Sequence, residues 1–443
     1  MLKESFYNIW HNNYLFNSLH RTVLRFLPEE VDVVKKCLAS INDDSYCQND
    51  IIRSLIKMGF ICDSELNEYE FVKFKNKLSV YGNRECRLTI NPTLQCNYCC
   101  WYCCVEDQGT QYQHRCMDEE TIDKVKKLIK NLVVNNKIDR LHLDWFGGEP
   151  LMYFEEVVKP ISLFAMNLCN RSNMPFSNHV TTNAYYITDE MINEFNTIKL
   201  KGFQIPVDGN EQKHNSVKYM GNQGHLQKIL KSVNSIAKQV KDSHIILRIN
   251  YDNETLDSVS EIIPSIAVEN RDKIIVDFQR VWQVHMNTSS DGNNQKLLYV
   301  KNNFEEEGFA TTYFAYEYKP FRCCYADSLY HWVINYDGKV FKCSARNYDE
   351  SLIAGKIDDH GNLLFNPIVY DYFSKSSLDN NRCRECKLLP LCYGLCIQKQ
   401  YEYTKKNKPF QCLHDFSEIS LGYFIEQLFE KRMKFMHKKN NDV

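Results

Sequence analysis

Between residues 86 and 282, short apolar runs alternate with longer stretches whose apolar residues return every three or four positions. The short runs are CRLTINP (86–92), LHLDWF (141–146), HVTTNA (179–184), FQIPVD (203–208), HIILRINYD (244–252) and IIVDFQRVW (274–282). Their length and β-branched content predict strands. The clearest intervening helix follows Asp118, with Ile122, Val125, Leu128, Ile129 and Leu132 on one face. Six strands alternating with helices predict an α/β unit with a parallel sheet, closed or partly closed as a barrel. In such barrels the chemistry sits in loops at the C-terminal strand ends.

The chain reads differently on either side. Residues 1–62 carry three short β-type runs, YNIW, YLFNSL and TVLRFL. PEEVDVVKKCLASI then opens as a helix on a proline and two glutamates, and QNDIIRSLIKMGFI predicts a second helix capped by Gly59. Residues 63–84 read as a charged connecting helix or linker. From about residue 300 the alternation stops, giving way to a cysteine-rich segment and a long terminal helix ending in the basic tail KRMKFMHKKNNDV.

Charge changes the picture little. Fifty-four basic and 56 acidic residues give a net charge of −2, where nucleic-acid binders usually carry a basic excess. No apolar run approaches the ~20 residues of a membrane span, and MLKESFYNIW has no secretory pattern, so a cytoplasmic protein without membrane or nucleic-acid partners is expected.

Nineteen cysteines change it a great deal. In a cytosolic chain they point to metal or catalysis before disulfides, and an odd number cannot all pair. Five lie in LQCNYCCWYCCVED (94–107): Cys96, Cys99, Cys100, Cys103 and Cys104. Only Cys96, Cys100 and Cys103 form a CxxxCxxC register, directly after the first barrel strand. Three thiolates can hold three irons of a cubane and leave one iron open to chemistry. A zinc site would want a fourth ligand, the next histidine being His114. A Cys100/Cys103 redox pair would leave Cys96 unexplained.

With GGEP (147–150) after strand two, TTNA (181–184) at strand three, VDG (207–209) with His214-Asn215 after strand four, and RIN (248–250) on strand five, the chain resembles the radical SAM superfamily. The resemblance implies a partial (β/α)6 TIM-like barrel over residues 85–300. Cys96, Cys100 and Cys103 would hold a 4Fe–4S cluster that chelates S-adenosyl-L-methionine (SAM). Tyr102 would lie near the adenine, Gly148 and Glu149 would receive the SAM amino group, Thr182 and Asn183 would face the ribose, and Arg248 could pair with the carboxylate. Relatives often carry Ser where this chain has Pro206, which removes a hydroxyl contact. Cys99 and Cys104 are expected to bind no metal.

The C-terminal cysteines resemble the SPASM motif of peptide-modifying radical SAM enzymes. Cys324, Cys343 and Cys396 would serve one auxiliary 4Fe–4S cluster, with only adjacent Cys323 offered as a fourth cysteine, and Cys383, Cys386, Cys392 and Cys412 a second. This domain would span 301–443. Residues 1–84 resemble a RiPP recognition element, a small winged α+β domain that binds leader peptides by strand addition, with its linker. Together the resemblances imply a cytoplasmic peptide maturase with three clusters. It would be supplied by a flavodoxin- or ferredoxin-type reductant, cleave SAM to a 5′-deoxyadenosyl radical and form a C–C or thioether cross-link in a ribosomally made precursor. The rivals are a sulfatase-maturation-type dehydrogenase and a non-catalytic iron–sulfur electron carrier; an RNA-modifying enzyme is disfavoured by the neutral charge.

Overall fold

The computed structural model describes residues 1–41, 50–105, 115–135, 137–218, 225–284, 294–313, 321–374 and 376–441, with side chains to residue 433; His114 lies outside them. Its strands in chain order are β1 (Leu2–Glu4), β2 (Asn8–His11), β3 (Tyr14–Asn17), β4 (Thr22–Arg25), β5 (Ile61–Asp63), β6 (Glu85–Ile90), β7 (Arg140–Trp145), β8 (Phe176–Thr181) and β9 (Leu200–Val207). These are followed by β10 (His244–Tyr251), β11 (Ile274–Arg280), β12 (Ala310–Tyr313), β13 (His331–Ile334), β14 (Lys339–Phe341), β15 (Gly355–Ile357) and β16 (Leu363–Phe365).

The six expected strands are β6 to β11, parallel and adjacent in chain order. The sheet goes further than expected. The helix Gln295–Glu306 and strand β12 add one more unit on β11, so the alternation runs past residue 300 to about 313. At the other edge β13 lies parallel to β6 and continues through β14, β15 and β16 as an antiparallel meander. The eleven-stranded row ends at β12 and β16 and is an open sheet. Short, polar β12 (ATTY) lacks the apolar run that marks its neighbours, and β13 pairs across more than 200 residues of sequence. β12 had no local signal, and the apolar run HWVI of β13 does not say which strand it joins.

Alternation along each strand separates two faces. On β10, Ile245, Leu247, Ile249 and Tyr251 are fully buried in a core shared with Leu226, Ile229, Val233 and Ile236 of the helix Leu226–Gln239. Ile246, Arg248 and Asn250 are half-buried on the opposite, concave face. The expected helix after Asp118 is Glu119–Val134; the Asp118 carboxylate accepts from Thr121 N and caps it.

In the N-terminal unit β2, β3 and β4 form the expected antiparallel sheet, and Gly59 ends the second helix at φ +82°. The β1–β5 pair was not foreseen. Leu15 packs with Leu38, Ile52, Leu55 and Phe60 of the unit's own elements. On the other face Tyr14, Phe16 and Val23 pack on Ile425 of the C-terminal helix Leu421–Asn441, with Phe424 edge-on to Phe16 at 5.9 Å. The charged segment 63–84 is no loose linker. Its helix Glu68–Lys77 is tied to the C-terminal region by Lys73–Asp379 at 2.6 Å and Tyr69 Oη donating to Leu378 O.

Phe16→Ala empties a fully buried site between the two ends of the chain. It should cost about 3–5 kcal/mol and lower the thermal unfolding midpoint followed by circular dichroism. An unchanged midpoint would mean that this face is not packed.

Candidate active site

The cysteine loop leaves β6 and is held by its neighbour. Gly148 N donates to Thr93 O at 3.1 Å and Glu149 N to Gln95 O at 2.8 Å, so GGEP lies along the start of the loop. Gly147 has φ +108°, and a Cβ there would stand 2.3 Å from Thr93 O. A Cβ on Gly148 would stand 2.0 Å from Gln95 O. Both glycines are therefore required by close backbone approach.

Glu149 is fully buried. One carboxylate oxygen accepts from Leu151 N at 3.0 Å and Thr182 Oγ1 at 2.7 Å; the other accepts from Asn183 N at 2.8 Å. Burial pushes this carboxyl up to about 7 against the pull of those three donors. The side chain thus locks GGEP to TTNA, with acceptor capacity left on Oε2. Asn183 carries the lock to the loop: its Nδ2 donates to Asn97 Oδ1 at 2.8 Å and lies 3.9 Å from Cys96 Sγ. The Thr182 hydroxyl is likewise taken up by Glu149 and by Ala184 N, which donates to it at 3.0 Å.

The three thiols of the CxxxCxxC register lie near enough for their charges to act on one another. Burial pushes the Cys96 thiol up, and the charges of Glu149, Cys100 and Cys103 push it further. Cys100 is pushed up to about 11 by burial, opposed by Lys218. A neighbouring set of soft, half-buried thiols fits an iron–sulfur cluster, whose metal charge would deprotonate them. Cys99 is exposed, outside this set.

Tyr102 points to the ends of β9 and β10. Its hydroxyl donates to Asp208 Oδ1 at 2.5 Å and accepts from Lys218 Nζ at 3.0 Å and Asn250 Nδ2 at 3.1 Å. Asp208 and Lys218 are almost fully buried and paired at 2.7 Å. The VDG motif signalled Asp208; Lys218 carried no motif and was missed. Arg248 Nε donates to Asn250 Oδ1 at 3.0 Å. Pro206 is its register partner on β9.

The C-terminal cysteines fall into two groups by the charges they feel. Cys324, Cys343 and Cys396 act on one another beside buried Asp327. Cys383, Cys386, Cys392 and Cys412 act on one another elsewhere. Cys104 joins the cysteine loop to the first group, its Sγ 3.9 Å from Ser344 O and its thiol pushed up to about 12 by burial. Among the described residues no three His, Cys, Asp or Glu side chains converge as a single metal ion would need.

Residues 90–264 match the family model of the Radical SAM superfamily. Such a domain carries a 4Fe–4S cluster and SAM. The chain is similar to the radical SAM cyclopropyl synthase TigE of Paramaledivibacter caminithermalis, 23% identical over 410 residues, covering 81% of this chain and 80% of TigE. The protein is an enzyme that acts by radical chemistry, which removes the electron-carrier rival. Its fold is similar to that of anSMEcpe with bound AdoMet, at TM-score 0.53 and 16% identity over 81% of this chain and 95% of that one. It is also similar to anSMEcpe with bound AdoMet and Kp18Cys peptide, at TM-score 0.54 and 16% identity over 81% and 100%. No described helix is long and apolar enough to cross a membrane.

Gly148→Ala forces a methyl group against the Gln95 carbonyl, an overpacking of about 1–3 kcal/mol that displaces the cysteine loop. Anaerobically reconstituted variant should hold less iron than the parent while its far-ultraviolet dichroism stays the same. Full iron occupancy would show that the two segments can part without consequence.

Proposed function

We propose that this enzyme is a radical SAM maturase of a ribosomally made precursor peptide. Cys96, Cys100 and Cys103 would hold the SAM-binding cluster, the first C-terminal group an auxiliary cluster and the second group another. The cluster, when bound and reduced, supplies the electron that splits SAM into methionine and a 5′-deoxyadenosyl radical able to take hydrogen from an unactivated carbon. The chain's own residues position and insulate. Tyr102, fixed by Asp208, Lys218 and Asn250, would flank the adenine. Gly148 and Glu149 would receive the amino group, Thr182 and Asn183 would border the ribose, and Arg248, half-buried on β10, would meet the SAM carboxylate.

One observation carries the reading. GGEP, TTNA and the cysteine loop are joined by a single buried carboxylate at the strand ends of a radical SAM domain, with two further cysteine groups beyond them. The similarity to a cyclopropyl synthase favours carbon–carbon bond formation over a thioether. In the N-terminal unit β4 is an edge strand, and half-buried Leu24, Phe26 and Val34 belong to one apolar cluster beside it. That is the setting in which an extended leader adds a strand. Electrons would come from a flavodoxin- or ferredoxin-type protein in the cytoplasm.

Three 4Fe–4S clusters amount to about twelve irons per chain. Replacing Cys96, Cys100 and Cys103 together by Ala should remove about a third of them and abolish 5′-deoxyadenosine formation. Continued formation of 5′-deoxyadenosine by that variant would refute the assignment of these thiols.

Leader binding is tested by one substitution, because deleting residues 1–62 would strip the apolar cover from the C-terminal helix. Val34→Asp should weaken binding of a labelled candidate leader peptide about tenfold, roughly the 1.4 kcal/mol of one lost apolar contact, at unchanged iron content. Equal affinity would mark the unit as a structural cap.

A further inference from the structure

A cavity of about 260 Å³ opens between the cysteine loop and the C-terminal region. Cys103 and Cys104 line one side; Arg346, Lys399, Glu402 and Lys408 line the other. Trp282, just past the end of β11, stands in its wall and is 63% exposed. Three cations thus share a small space with one carboxylate.

That carboxylate is already committed. Arg346 grips it through Nε at 2.7 Å and Nη2 at 3.1 Å, and Gln398 Nε2 donates to it at 2.9 Å. Burial would push Glu402 up, but the Arg346 and Gln398 bonds outweigh it and hold the group below the usual carboxylate range, so it is ionised. Arg346 is equally committed, its fork filled by Glu402, its Nη1 donating to Ala345 O and its guanidinium 5.8 Å over the Trp282 ring. The pair is internally neutral. Lys408 Nζ stands 3.9 Å from the nearer Glu402 oxygen, and among the described residues no carboxylate lies within ion-pair distance of Lys399. Three cations against one carboxylate, which Lys408 shares at 3.9 Å, give the lining an excess of two positive charges in a cavity walled by the cysteine loop.

We propose that this cavity receives a carboxylate of the substrate peptide, an Asp or Glu side chain or the peptide's own C-terminus, bound by Lys399 and Lys408 with Trp282 against the adjoining backbone. The proposal rests on the reading of the substrate as a peptide. Arg346 is a positioning residue: it takes up both Glu402 oxygens at 2.7 and 3.1 Å and lies over the Trp282 ring. A carboxylate anchored here brings its neighbouring residues to the side of the loop that carries Cys103, which makes this a determinant of which residue in a peptide is modified.

The test is fluorescence anisotropy of short labelled peptides on the anaerobically reconstituted enzyme. One peptide carries a central Glu and an amidated end, a second has Gln in its place, and a third is the Gln peptide with a free C-terminal carboxylate. The Glu peptide should bind about tenfold tighter than the amidated Gln peptide, as expected of a charge-assisted pair. The preference should vanish in Lys399→Gln/Lys408→Gln. Tighter binding of the free-carboxylate peptide instead assigns the anchor to the C-terminus and equally supports the site. Equal binding of all three peptides, or a preference that survives the double substitution, overturns the proposal and leaves the peptide reading standing. If no peptide binds while glutarate binds by calorimetry and is lost in the double variant, the anion site holds and the peptide reading falls. Binding of neither overturns the proposal. Iron content guards against misfolding, and Lys408→Gln alone, at an exposed position, should reduce the preference where the double variant does not fold.

Discussion

The arrangement of this enzyme depends on the burial of one carboxylate. Taking the Glu149 side chain fully out of water is costly unless its oxygens are satisfied. The chain satisfies them with three donors from two places: Leu151 N next door, and Thr182 Oγ1 and Asn183 N from the loop after β8. Removing any of them would leave a buried charge short of a partner. That penalty is what holds the loop after β7 and the loop after β8 in one register. Asn183 then reaches Asn97 and Cys96, so the same constraint extends to the thiols. The two glycines before Glu149 let its backbone lie on Thr93–Gln95 at distances no side chain permits.

A second buried charge repeats the principle on the other side of the strand ends. Lys218 and Asp208 pair at 2.7 Å, and the Tyr102 hydroxyl sits between them and Asn250. The ring of Tyr102 also lies under the Lys218 ammonium, 5.6 Å from it. The cysteine loop is therefore held at both ends, at Cys96 by Asn183 and at Tyr102 by the β9 and β10 termini. The loop buries Leu94, Tyr98 and Val105, and these polar bonds add fixed points between them.

The outer parts of the molecule brace this centre. The side-chain bond Asn91 Nδ2 to Asn335 Oδ1 at 2.5 Å links the residue after β6 to the residue after β13. The first C-terminal cysteine group is thereby carried on the same sheet that carries the cysteine loop, and Cys104 meets Ser344 between them. The terminal helix closes the chain on its own beginning, with Phe424 and Ile425 against Phe16.

Local pattern was enough for much of this. The six strands β6 to β11, the capped helix after Asp118, the three-stranded N-terminal sheet and the CxxxCxxC register are all written in short-range period and spacing, because a strand's alternation and a helix's cap involve only near neighbours in sequence. What tertiary structure alone decided are the contacts between distant segments. Polar β12 joined the sheet because β11 offered an open edge, and β13 because Asn91 and Ile90 met it across the fold. Glu149 in GGEP was legible from its motif; that its carboxylate also binds Thr182 and Asn183 depends on where two loops end in space. Lys218, Arg346 and Glu402 carried no motif, since a lysine or arginine in sequence looks like any surface charge until burial removes the water that would otherwise screen it.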